Sequence, residues 1–227
     1  MIAENGSDWR AGHRRRLREK FSDGKTTDAE LLELLLCYAI PRLDVRPVAR
    51  ELTNRFGDVH NIISSDAKEL CKIKGIGESA ATLIALIRRL MLQTHRGYMK
   101  DAPLFHNANR INDYCRLLLA KVRVEEFHIL YLDGTRRLIS DDTHSAGTTT
   151  HVAAYPREIL KRALELNARH VVLVHNHPDG SGSFSTADME LTQKIREKLA
   201  VDGIEVIDHL LVSDNIVFSA RNMLLLN

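Results

Sequence analysis

The stretch Val171-Val172-Leu173-Val174-His175-Asn176-His177-Pro178 constrains this chain more than any other. Four consecutive apolar, mostly β-branched residues read as a short buried strand. Two histidines one residue apart close it, and both can leave the strand end toward one side because residues i and i+2 share a face. The glycine- and serine-rich loop Asp179-Gly180-Ser181-Gly182-Ser183-Phe184 follows, and then a helix from Ser185 to Leu199. Asp188 lies in the first turn of that helix and can turn back onto the same point. Two imidazoles and a carboxylate so placed make a three-ligand metal site with one coordination position open, which separates a catalytic zinc site from a closed structural one.

The rest of the chain is bipartite. Residues 1–95 read as helices: Asp8 to Ser22, Asp28 to Ile40 with Thr27 or Asp28 as cap, Val45 to Phe56, and one beginning near Ser65. Residues 96–107, with Gly97 and Pro103 and little periodicity, read as a linker. From 108 to 227 helical and strand patterns alternate. A helix near Arg110 to Leu119 precedes strands at Glu126–Asp133 and Arg137–Asp142. A helix at Tyr155–Asn167 leads to the histidine strand and its helix, and strands at Ile204–Leu211 and Ile216–Ser219 follow. That order predicts an α/β domain, a sheet flanked by helices, behind an all-α module.

The histidine segment resembles the JAMM (MPN+) metallohydrolase motif H-x-H-x7-S-x2-D at every fixed position: His175, His177, Ser185 and Asp188. The resemblance implies a cytidine-deaminase-like JAMM sheet, bound Zn2+ and hydrolysis of an amide or isopeptide bond in a peptide or protein substrate. It also implies a glutamate from an early strand, acting as general base toward the attacking water and then as acid toward the leaving amine. Glu125 and Glu126 are adjacent candidates. Strand neighbours face opposite ways, so only one can point at the metal, and the resemblance favours Glu125. Ser185 has two readings, an oxyanion donor as in the family and the N-cap of its helix. In the second, Ser185-Thr186-Ala187-Asp188 has the shape of a capping box, and a metal-binding Asp188 is expected to forgo its half of that box.

Similarity extends further. His175-Asn176-His177-Pro178 with Gly180 looks like the HNHPxG signature of the RadC-like (UPF0758) proteins, with Asp179 where the family usually has serine. Tyr155 to Ala168, Gly12 to Arg18, Glu30 to Leu36 and Ile73-Lys74-Gly75-Ile76-Gly77 are similar to that family as well. The family name implies a tie to DNA repair.

Leu70 to Ala80 looks like a helix-hairpin-helix turn, in which Gly75 and Gly77 provide positive φ or close approach. Backbone amides at the second helix, with Lys72 and Lys74, could then hold a DNA phosphate. Charge agrees. Residues 1–100 carry 18 Lys+Arg against 13 Asp+Glu, a net of +5, and the remainder carries 14 against 17, a net of −3. No apolar run approaches the ~20 residues of a membrane span, and the N-terminus has no apolar signal core. Cys37, Cys71 and Cys115 read as free thiols, Cys37 and Cys71 as buried ones, which fits a reducing cytoplasm. His209, beside Asp208 in a late strand, reads as a structural histidine. Two rivals to the hydrolase stand: a non-catalytic DNA-associated protein with a structural metal, and a metal-dependent nuclease.

Overall fold

The computed structural model describes residues 5–41, 43–104, 108–146 and 155–226. They form two compact units, Met1–Arg89 and Leu90–Asn227. The first is helical: α1 (Asn5–Ser22), α2 (Asp28–Ala39), α3 (Arg46–Phe56), α4 (Val59–Ser64), α5 (Ala67–Leu70) and the start of α6 (Glu78–Asp101). Helix α2 begins where Thr27 and Glu30 close a capping box: Thr27 Oγ1 accepts from the Glu30 amide, and the Glu30 carboxylate accepts from the Thr27 amide at 3.0 Å. Leu17, Leu32, Leu36, Leu52, Leu70 and Ile84 gather in its core.

Between α5 and α6 the chain reverses with Ile73 and Ile76 buried. Gly75 has φ +97°, and a Cβ there would lie 2.8 Å from Val48 Cγ2, so this position requires glycine twice over. Gly77 meets neither condition, since its φ is not positive and a Cβ would touch nothing within 4 Å. Cys71 departs from expectation. It is exposed, because α5 ends at Leu70 and the turn that seats Leu70 and Ile73 faces Cys71 outward.

Helix α6 runs through Gly97 to Asp101, into the stretch expected as linker, of which residues 105–107 lie outside the described residues. One helical glycine costs only about 1 kcal/mol. Buried Leu92 and Met99, and the hydrogen bonds that Arg96 donates to Tyr114 and Asp141, hold the helix past it.

The second unit contains α7 (Ala108–Leu119), β1 (Glu126–Leu132), β2 (Leu138–Ala146), α8 (Pro156–Glu165), β3 (His170–Asn176), α9 (Thr186–Ala200), β4 (Glu205–Ser213) and β5 (Ile216–Ser219). The sheet order is β2-β1-β3-β4-β5. Only β3 and β4 are parallel, joined by α9 as a crossover. Strand β2 runs beyond the expected Asp142 because Asp142, Thr143, Ser145 and Ala146 all pair with β1. Their polarity hides the strand from a hydrophobicity reading. Phe127, Ile129, Tyr131, Val171 and Leu173 pack on one face with Ile159 and Ala163 of α8 and Ile195 and Leu199 of α9. Helix α7 packs on β3, β4 and β5.

A buried polar cluster joins α6 and α7 to β1 and β2. Asp141 accepts from Arg96 Nη2 at 2.9 Å and from the Tyr114 hydroxyl, and contacts His128 Nδ1 at 3.3 Å. His128 Nε2 reaches Glu126 at 3.1 Å. Burial opposes the imidazolium of His128, but Asp141 and Glu126 outweigh it and hold its pKa above the ordinary value. A raised folded-state pKa gives stability that is complete below the unfolded value near 6.5 and lost as pH rises through the folded one. We therefore expect His128→Gln to destabilise most on the acid side of neutrality. Urea midpoints taken from about pH 5 to 9 should show the gap to wild type narrowing upward, and a constant gap would place the imidazolium elsewhere.

Candidate metal centre

The centre forms at the carboxyl ends of the parallel pair β3/β4, where open α/β sheets commonly bind ligands. Strand β3 delivers His175, the next turn His177, and the first turn of α9 Asp188. The fourth group is decided by register. Strand β1 pairs with β3 so that Phe127 lies opposite His175, and Glu125, two residues before Phe127, shares that face. Glu126 takes the other face with His128. Ligand atoms of Glu125, His175, His177 and Asp188 all lie within 4.8 Å of one another, the one such cluster among the described residues.

Their spacing can be tested against a metal. His175 Nε2 and His177 Nε2 are 3.1 Å apart, and Asp188 Oδ2 lies 3.6 and 3.4 Å from them. Tetrahedral ligands at zinc's bond lengths sit roughly 3.3 Å apart. Two nitrogens and an oxygen with these separations fit one small cation, with Glu125 alongside.

The His177 and Asp188 side chains are held from behind. His177 Nδ1 lies 3.1 Å from the Ser181 carbonyl, which can only accept, so Nδ1 carries the proton and Nε2 is left for the cluster. Hydrogen bonding to Asp188 raises the His177 pKa, against burial. Burial pushes the Asp188 pKa up, but hydrogen bonds with His175 and His177 outweigh it and hold the carboxyl far below its usual range.

Asp188 keeps its half of the capping box. Its Oδ2 accepts from both the amide and the hydroxyl of Ser185 at 2.7 Å, while its own amide donates to Ser185 Oγ at 3.1 Å. The capping box is complete, and the same carboxylate still faces the histidines. An ionised carboxylate has about two acceptor sites on each oxygen; both Ser185 bonds fall on Oδ2, the oxygen nearest the histidines, and neither of them uses Oδ1. Ser185 stands at the rim with its proton directed to Asp188.

The loop between the histidines and α9 is fixed. Asp179 Oδ1 accepts from the Ser181 amide at 2.9 Å. A Cβ on Gly182 would lie 2.8 Å from the Phe218 ring, so the loop sits tightly against β5. Phe184 brings its ring 5.8 Å from that of His175 and 5.1 Å from that of His209.

Sequence reasoning passed over Asn176 and Thr192, while His209, read as a structural histidine, is buried and hydrogen-bonded. Asn176, 2% exposed, donates to the carbonyls of Val122 and Val124 at 3.2 and 3.0 Å and accepts from the Glu126 amide at 2.8 Å. It thereby clamps the segment that carries Glu125. His209 and Thr192 lie behind His175. His209 Nε2 is 2.8 Å from His175 Nδ1, and Thr192 Oγ1 is 2.6 Å from His209 Nδ1. The available signal was parity: Asn176 must face away from the two histidines, toward the preceding segment.

The family model described as RadC-like JAB domain matches residues 105–225. Over 212 residues, 92% of this chain and 95% of the relative, the chain is 38% identical to a UPF0758 protein of Ruegeria pomeroyi. The chain belongs to the RadC-like (UPF0758) family. Its RadC-like JAB domain is the mixed α/β unit, and the converging His/Asp cluster lies within that matched span.

Asn176→Ala would leave two carbonyls and the Glu126 amide without their partner. At about 1–3 kcal/mol for a buried unsatisfied group, we expect a lower denaturation midpoint and faster hydrogen exchange at the Glu126 amide. Unchanged exchange there would show that the segment is held by other contacts.

Proposed function

We propose that this RadC-like protein is a zinc-dependent hydrolase of the JAMM type, a metallopeptidase or isopeptidase that cleaves an amide bond. The observation that carries the reading is the spacing of His175 Nε2, His177 Nε2 and Asp188 Oδ2, 3.1, 3.4 and 3.6 Å, with Glu125 in the same cluster. His175, His177 and Asp188 would hold the zinc, which would supply Lewis acidity and a water made acidic enough to ionise at about pH 7. Glu125 takes a proton from the attacking water and returns it to the leaving amine. Ser185, by turning its hydroxyl from Asp188, donates to the developing oxyanion. The choice of a peptide-like bond follows the family likeness. The three cysteines are free, and among the described residues no helix is long and apolar enough to cross a membrane; a cytoplasmic setting suits both facts. A two-metal nuclease lacks support, because Asp179 caps its own loop and stands outside the cluster.

Elemental analysis tests the reading. Wild type should carry zinc near one per chain, and His175→Ala/His177→Ala should lose it. Glu125→Gln should keep the zinc and lose at least 100-fold in turnover of an isopeptide or peptide substrate, about what general acid–base catalysis contributes. A wild type that takes up no zinc when it is supplied would sink the proposal.

A second reading has its own observations: the basic first half and the glycine-dependent reversal at Gly75 suit a helix-hairpin-helix contact with DNA. Opposing charges lie close by. Lys72 pairs with Glu69 at 2.6 Å, and Glu78 occupies the first turn of α6. Gly77 leaves open backbone, and exposed Lys74 is the cation at the turn that this reading uses. Lys74→Ala should then flatten the slope of log affinity against log salt by about one for duplex DNA. An unchanged slope would exclude the turn.

A further inference from the structure

We infer that His209 and Thr192 are positioning residues that fix which ring nitrogen of His175 carries its proton, and so present the other nitrogen to the metal. The inference rests on the proposed metal site and adds how that site is preset.

The hydrogen-bond directions follow from one group that can only accept. Thr192 Oγ1 lies 2.6 Å from the backbone carbonyl of Asp188, so its single proton points there. Toward His209 Nδ1, 2.6 Å away, the same hydroxyl can then only accept, and Nδ1 must carry hydrogen. His209 is fully buried, with the rings of Phe127 and Phe184 at 5.7 and 5.1 Å. A second proton would make it an unpaired buried cation beside a metal site, at high cost. The neutral ring therefore offers a lone pair at Nε2, and His175 Nδ1, 2.8 Å away, must donate to it. That leaves His175 Nε2 deprotonated, facing His177 Nε2 and Asp188 Oδ2.

The relay begins at the backbone of Asp188 and ends at its side chain, by way of Thr192, His209 and His175. Helix α9 thus supplies a ligand and also sets the tautomer of another ligand on β3. A partner for the non-ligating ring nitrogen usually changes metal affinity by about 10- to 100-fold. Packing alone would not require this directional chain.

The experiment measures zinc affinity by chelator competition on the full chain, together with the visible spectrum of the cobalt-substituted protein and the melting temperature of the metal-free form. His209→Phe fills the same apolar space and removes the acceptor. It should weaken zinc about 10- to 100-fold and alter the cobalt spectrum. His209→Gln, which can present Oε1 to His175 Nδ1, should recover most of the affinity. Thr192→Val should weaken zinc and Thr192→Ser should not; this pair decides if His209→Phe fails to fold. Wild-type affinity in both His209→Phe and Thr192→Val would overturn the inference and leave the hydrolase reading standing. Absence of stoichiometric zinc in wild type would instead overturn the hydrolase reading itself.

Discussion

The antiparallel pairing of β1 with β3 is the constraint from which the centre follows. Because Phe127 sits opposite His175, the alternation of strand side chains sends Glu125 to the histidine face and Glu126 to the opposite one. A slip of one residue would exchange them. Three features resist that slip: the apolar residues of β1 and β3 buried against α8 and α9, the Asp141–His128–Glu126 cluster, and the Asn176 clamp. The two glutamates therefore face different surroundings although they are adjacent and chemically alike.

Opposite faces of one sheet hold ionisable groups in different ways. Around Asp141, anion and cations are already matched by Arg96 and His128, so the cluster is internally satisfied and serves to dock α6 and α7. Around His175 the groups are two nitrogens and two carboxylates gathered at one end of the sheet, with His209 uncharged behind them. Burial holds the His209 pKa well below its ordinary value, and the nearby His175 reinforces it. The first arrangement stabilises a fold; the second has capacity left for a cation.

Much of this was legible in the sequence, for identifiable reasons. The β3 run, the α2 and α9 caps and the apolar alternation of β1 are local signals, and the structure has those elements within a residue or two of where they were expected. His175, His177 and Asp188 could be named because ligand chemistry confines the choice to a few side chains, and Glu125 was favoured over Glu126 by the family likeness. What escaped depends on contacts distant in sequence. Asn176 acts on a segment some fifty positions earlier, and His209 reaches His175 across 34 positions. Neither has a local signature. The polar half of β2 was unreadable because its strand character comes from pairing and not from hydrophobicity.

The cap on Asp188 and the bonds behind the histidines order the cluster in advance. The Ser185 amide and hydroxyl fix the orientation of the Asp188 carboxylate, and the N-terminal turn of α9 favours a negative charge there. His177 is oriented by the Ser181 carbonyl, and on the inferred tautomer His175 is oriented by His209. Both imidazoles then direct lone pairs at one point, only 3.1 Å apart. Two lone pairs at that separation repel unless a proton or a metal ion lies between them. A metal cation satisfies both nitrogens and the carboxylate together, whereas a single proton serves one nitrogen at a time. On the proposed reading, metal binding at such a site would displace protons and so would be favoured as pH rises.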